Sequence, residues 1–144
     1  GKFTPCVTNS WARSMTPVTI QRNNKTITIN LRSSWEAFFQ IKNPNLFFEK
    51  LRIPYKINDV VKSYILDFVD EKNNIIYEIK PYALHDTKVN MLKFNAAKKW
   101  ANENNFKFVI IDNSWFYKNY DPSILIGQPS EERIKKLLKQ FFKK

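Results

Sequence analysis

Two apolar runs in close succession constrain this chain more than any other feature. SYILDFV (63–69) and IIYEIKP (75–81) are rich in β-branched and aromatic residues, and only DEKNN (70–74) separates them. Such residues suit a pleated, half-buried surface, and the short Asn-containing link predicts an antiparallel hairpin. Pro81 ends the second strand. Side chains alternate along a strand, so Glu78 and Lys80 share one face, with Tyr77 and Ile79 on the other. Asp67 sits near the end of the first strand, between Leu66 and Phe68, where Asp is disfavoured. The hairpin can bring it beside Glu78.

Two adjacent carboxylates repel, and each favours protonation of the other. A divalent cation relieves that repulsion. Mg²⁺ takes carboxylate oxygens, keeps several waters and accepts phosphate oxygens. It can also lower the pKa of bound water and neutralise a leaving oxygen. Lys80 would either orient the attacking water or stabilise charge growing on the phosphorane. Spacing alone equally allows a surface Glu78–Lys80 ion pair with Asp67 as a solvated strand-end acid.

Charge narrows the partners. The chain carries 24 Lys+Arg against 13 Asp+Glu, a formal net charge of +11. So basic a domain suggests nucleic acid, the alternatives being a membrane surface or a charge that serves solubility. One cysteine, Cys6, excludes an internal disulfide, and one histidine, His85, excludes a clustered Cys/His zinc site. Two glycines exclude a Gly-rich phosphate loop. No apolar run reaches membrane-spanning length, and GKFTPCVTNS lacks a signal-peptide core. The expectation is a soluble, cytoplasmic protein without a membrane partner.

The 144 residues predict a single domain. Residues 1–32 read as an irregular arm with one strand at TITINL (26–31), its Arg13, Arg22, Lys25 and Arg32 either touching phosphates or solvated. Ser33 or Ser34 caps a helix bearing Trp35, Phe38 and Phe39. LFFEKL (46–51) adds a turn and IPYKI (53–57) a strand. A helix over 88–104 carries an apolar stripe of Val89, Leu92, Ala96, Trp100 and Ala101. FKFVIID (106–112) is a strand, and 113–129 a loop with aromatics. A basic amphipathic helix follows at 130–144, capped by Ser130, with Ile134, Leu137, Leu138, Phe141 and Phe142 on one face. The order predicts a mixed α/β domain.

A resemblance now adds to these residues. YILDFV…IIYEIK is similar to the core of the PD-(D/E)XK nuclease superfamily, where an Asp ends one strand and E-x-K sits on the next. RSSWEAFF (32–39) resembles the family's first helix, whose Glu, here Glu36, often completes the metal site. IPYKIN followed by SYILDF resembles an "IPY" strand leading into "Y-x-P-D-F", with Leu66 at the proline. KFNAAKKWANENNFKFVIID looks like the family's "K-x-x-A-A-x-x-(W/Y)…F-x-(V/I)-I" segment. The nearest likenesses are the head-completion nucleases of tailed phages and the N-terminal domain of the TnsA-like transposase endonucleases. The leading GKFTP and the short length lean towards the phage type.

The resemblance implies a restriction-endonuclease-like central mixed sheet flanked by helices. It implies Mg²⁺-dependent hydrolysis of double-stranded DNA, with Mn²⁺ as a substitute metal. Glu36, Asp67 and Glu78 would be the metal ligands and Lys80 the residue assisting water. The phage type further implies head or neck proteins as partners, virion assembly, and a place in the host cytoplasm or the virion. A homodimer stays open. The rivals are a non-catalytic DNA-binding head–tail joining protein and a transposase- or homing-type endonuclease.

Other residues divide between two readings. Lys93 either reaches the cleft or snorkels from the core edge. Lys98 and Lys99 either meet the DNA backbone or are solvated. His85 reads as a loop residue, and Trp115, Phe116, Tyr117 and Tyr120 as core caps or a protein contact.

Overall fold

Asparagine marks the tight turns of this chain. Asn23 and Asn24 (φ 54° and 64°) and the pair Asn58–Asp59 (φ 51° and 63°) adopt the left-handed conformation at both central positions of two-residue turns. Asn and Asp tolerate it best among residues with a side chain, and such turns match the twist of antiparallel strands. The computed structural model describes residues 15–141. Residues 1–5, Cys6, Arg13 and Phe142 therefore lie outside the described residues. The described chain forms two units: one runs to Pro44 and resumes at Asp121, the other is Asn45–Tyr120.

In the first unit, β1 (Thr16–Arg22) pairs antiparallel with β2 (Lys25–Leu31) around the Asn23–Asn24 turn. The described part of the expected arm is thus a full hairpin. Thr16, Val18 and Ile20 alternate inward. The free edge of β1 is closed by side chains. The Gln128 amide accepts from Thr19 N–H (2.7 Å) and donates to Thr19 O (2.9 Å). Ser130 Oγ donates to the Pro17 carbonyl, and Arg133 donates to the Met15 carbonyl (3.0 Å). These bonds satisfy an edge that would otherwise be open to pairing.

Helix α1 (Ser34–Lys42) begins as expected at Ser33, whose hydroxyl accepts from Glu36 N–H (3.1 Å). Glu36 Oε1 reaches back to accept from Arg32 N–H (3.0 Å). This is a close variant of a reciprocal cap, with Glu at the third helical position. Ser33→Ala should cost about 1 kcal/mol of stability by denaturant unfolding. Helix α1 buries Ala37, Phe38 and Phe39.

The second unit carries a four-stranded mixed sheet in the order β3 (Phe47–Phe48), β6 (Phe68–Asp70), β7 (Ile75–Ile79), β8 (Lys107–Ile111). β3–β6 and β6–β7 are antiparallel, and β7–β8 is parallel. A parallel pair needs a crossover, supplied by helix α2 (Lys88–Asn104). This is the expected α/β fold with a mixed sheet. β4 (Arg52–Ile57) and β5 (Val60–Ile65) form a separate hairpin around Asn58–Asp59. Ile53, Tyr64, Leu66, Val69, Ile76, Ala97 and Ala101 make the core.

Four local expectations need correction. LFFEKL contributes the strand β3 rather than a turn. SYILDFV is not one strand: its first half lies in β5 and pairs with β4, and only β6 pairs with β7. The stripe of α2 holds at Ala101, with Ala96 and Trp100 partly buried against the core, but Phe94 and Ala97 join it and Val89 is 40% exposed at the helix start. Residues 113–129 are not a plain loop. Asp112 caps a helix α3 (Asn113–Asn119), and a 3-10 turn spans Pro122–Leu125. The last helix, α4 (Glu131–Phe141), buries Ile134 and Leu138 and leaves Leu137 44% exposed.

Candidate active site

A register change positions Asp67. β4 and β5 pair Arg52 with Ile65, whereas β3 and β6 pair Phe48 with Phe68. Three residues, 49–51, therefore oppose two, 66–67. The extra residue makes a β-bulge, with Glu49 at φ 52°. Glu49 N–H donates to Asp67 O (2.9 Å), and Leu66 N–H to Leu51 O (3.0 Å), closing the ladder on both sides. Bulges re-aim side chains and gather near functional sites.

On its other side Asp67 meets β7. Phe68 pairs with Tyr77, so one more step of that register sets Asp67 opposite Glu78. Ile79 N–H donates to Asp67 Oδ2 at 2.7 Å. Glu78 is only 5% exposed. It shares its face with Ile76, which belongs to the core, and with Lys80 just beyond the strand. Lys80 N–H donates to Ile111 O (3.0 Å), and its ammonium lies 3.9 Å from Glu78 Oε2.

The electrostatics follow from burial. Desolvation raises the Asp67 pKa, and Glu49 adds to the rise, against the Ile79 N–H and Lys80, which lower it. Desolvation also raises the Glu78 pKa, reinforced by Asp67 and opposed by Lys80, Tyr64 and Lys93. Tyr64 is pushed up by burial and by Glu78. Its hydroxyl neighbours Glu78, yet neither Tyr64 Oη nor Glu78 Oε1 has a partner of hydrogen-bonding geometry. Buried polar atoms are seldom left so.

These groups fit a hard divalent cation. Asp67, which lies in the bend just before β6 rather than within a strand as expected, and Glu78 on β7 offer carboxylate oxygens, and a buried oxygen of Glu78 is unpartnered. Mg²⁺ is held by one or two carboxylates together with substrate phosphate rather than by an all-protein cage. Among the described residues no group of three or more His, Cys, Asp or Glu side chains suited to a metal occurs, so the expected three-acid set is not assembled.

The remaining candidates fall as follows. Lys93 lies beside the two tyrosines: its ammonium is 5.5 Å from the Tyr64 ring centre and 5.9 Å from that of Tyr55. Glu36 belongs to the first unit, where it closes the start of α1. Arg32 is exposed in that unit, and Lys98 and Lys99 are exposed on α2. His85 Nε2 lies 3.0 Å from the Lys80 carbonyl, and its ring stands edge-on to Phe94. It thus braces the loop after β7. Phe116 is fully buried with Trp115 edge-on to it, while Tyr117 is exposed. Sequence reasoning missed Glu49 and Tyr64. Glu49 gave no signal, because a bulge depends on the partner strand. Tyr64 gave none either: three residues before Asp67, plain alternation sets it on the opposite face, and only the break between β5 and β6 lets both approach Glu78.

Among known families, the profile described as TnsA-like endonuclease N terminal matches residues 34–113. No curated protein and no solved structure matches the chain. The matched stretch runs from the start of α1 through β8 and includes Asp67, Glu78 and Lys80. With more than half of its length under that profile, the chain belongs to the TnsA-like endonuclease N-terminal family.

Proposed function

We propose that the chain is a divalent-metal-dependent endonuclease acting on double-stranded DNA, with Asp67, Glu78 and Lys80 as its centre in the second unit. The observation that carries this reading is the opposition of Asp67 and Glu78 where the β6–β7 register is continued by one residue, with the Lys80 ammonium alongside. Asp67 and Glu78 are the residues that would hold Mg²⁺, or Mn²⁺ in its place. The bound ion supplies Lewis acidity and a water that ionises near neutral pH. The Ile79 N–H fixes the Asp67 carboxylate through Oδ2. Lys80 orients the attacking water or neutralises charge on the phosphate as the new P–O bond forms and the old one breaks.

Incubation with supercoiled plasmid tests this directly. Relaxed or linear product with Mg²⁺ and none with chelator supports it. Plasmid that is bound yet intact under both conditions favours the rival, a non-catalytic DNA-binding protein. The family match supports a transposase-type endonuclease as a second reading beside the phage head-completion role, which draws on the motif likeness alone.

The net charge of +11 supports a DNA partner. Lys98 and Lys99 lie one after the other on the exposed side of α2. Each phosphate neutralised contributes about 0.9 to the slope of log K against log salt. Replacing both by alanine should lower that slope by roughly 2, read by binding at several salt concentrations in chelator. An unchanged slope makes them a solvated face.

A further inference from the structure

Tyr64 carries more chemistry than its place in the core requires. It is 3% exposed and packs among Ile53, Leu66 and Ile76, where phenylalanine would fill the same space. Its hydroxyl is nevertheless buried, unpartnered and next to the Glu78 carboxylate, which has its own unpartnered buried oxygen. Burying a hydroxyl without a hydrogen bond is unfavourable, so the group is costly where it stands. The ring is held from two sides. Tyr55 meets it edge-on, with centroids 6.5 Å apart at 84°, and the Lys93 ammonium lies over both rings. A cation over two aromatic faces favours one fixed arrangement of all three groups.

We propose that Tyr64 is a positioning residue for Glu78: its hydroxyl donates to the Glu78 carboxylate and orients it for the cation, while Lys93 and Tyr55 fix the ring. The inference rests on the reading of Asp67 and Glu78 as metal ligands. A donor to the ionised carboxylate fixes the rotamer of a ligand and thereby favours binding, as outer partners do at metal sites. Lys93 adds positive charge near Glu78, favouring the same ionised form.

Tyr64→Phe tests it, since the ring, its packing and the cation contact remain. Mn²⁺ binding to the full chain is read by the loss of the free-ion paramagnetic signal. The metal concentration giving half the maximal nicking rate is read separately. Tyr64→Phe should weaken Mn²⁺ binding about tenfold, the lower end for loss of an outer partner. The half-saturating metal concentration should rise in parallel, with the maximal rate at saturating metal changed less. The thermal midpoint in chelator should stay near that of the parent, because the ring, its packing and the cation contact remain. Lys93→Gln should weaken binding in the same direction by a smaller factor. Wild-type Mn²⁺ affinity in Tyr64→Phe overturns the proposal even where the parent chain binds metal and cuts DNA. A parent chain that binds no Mn²⁺ overturns the underlying reading as well, so the two failures are told apart.

Discussion

Asparagine in place of Asp67, or alanine in place of Lys80, lowers Mg²⁺-dependent plasmid nicking by about 10²–10³-fold or more, the scale for loss of one preorganised electrostatic group at a reacting centre. Asparagine is the sharper substitution at 67. Its side-chain oxygen can still accept from the Ile79 N–H, so the fold keeps that bond while the charge is lost. Asp67→Ala removes the acceptor too and adds a stability cost of about 1–3 kcal/mol from an unsatisfied amide. At position 80 the side chain is 24% exposed and its ammonium lies 3.9 Å from Glu78, so alanine removes the charge beside the carboxylate together with the packing of the stem. Circular dichroism should match the parent for Asp67→Asn and Lys80→Ala, and unfolding of both should stay cooperative. Glu36→Gln separates two roles of that residue. Glutamine can accept from Arg32 N–H and preserve the helix start, so a loss of cutting by this variant would assign Glu36 to catalysis, and parent-level cutting would leave it as a cap. Parent-level nicking by Asp67→Asn or Lys80→Ala removes the proposed centre.

The second large effect is on stability. Burial raises the pKa of both Asp67 and Glu78 above their unfolded values. The folded state then holds these protons at pH values where the unfolded chain has already released them. The contribution is therefore favourable in acid, begins to fall as pH passes the ordinary carboxylate value of about 4, and is lost once pH exceeds the raised values. In chelator the chain should thus lose stability from these groups between mildly acid and mildly alkaline pH, on the order of a few kcal/mol. Glu78→Gln should flatten that part of the profile and raise the thermal midpoint at the alkaline end. Mg²⁺ should stabilise the parent increasingly as pH rises, because it binds the ionised carboxylates of the folded state. Glu78→Gln should lose that gain. Denaturant unfolding of parent and variant at matched pH values checks it. Parallel profiles for the two chains would show that Glu78 is not held as a buried, repelled carboxyl.

Much of this protein is written locally. The two-residue alternation set Glu78 and Lys80 on one face, and the structure has them there. Ser33 before an apolar-periodic segment marked the start of α1, and the segment 88–104 marked α2, because caps and periodicity depend on neighbours in the chain. What locality could not decide is how strands meet. SYILDFV is uniformly strand-like, but it is divided between two partners, and that division depends on β4, β3 and β7 rather than on its own residues. The extra residue opposite Leu66 and Asp67 arises only when 47–57 folds back on 60–70. It brings Glu49 to Asp67, while the β6–β7 register sets Asp67 opposite Glu78. The inward stripe of α2 was read in part: Ala96, Trp100 and Ala101 pack on the core, while the packing of α2 on β4 and β8 adds Phe94 and Ala97 and leaves Val89 exposed. The same packing turns Lys93 toward Tyr55, Tyr64 and Glu78. Sequence alone thus determined which residues could do chemistry and on which local element each stands. Tertiary structure decided which of them meet, since strand register and helix rotation are set by contacts between segments distant in the chain.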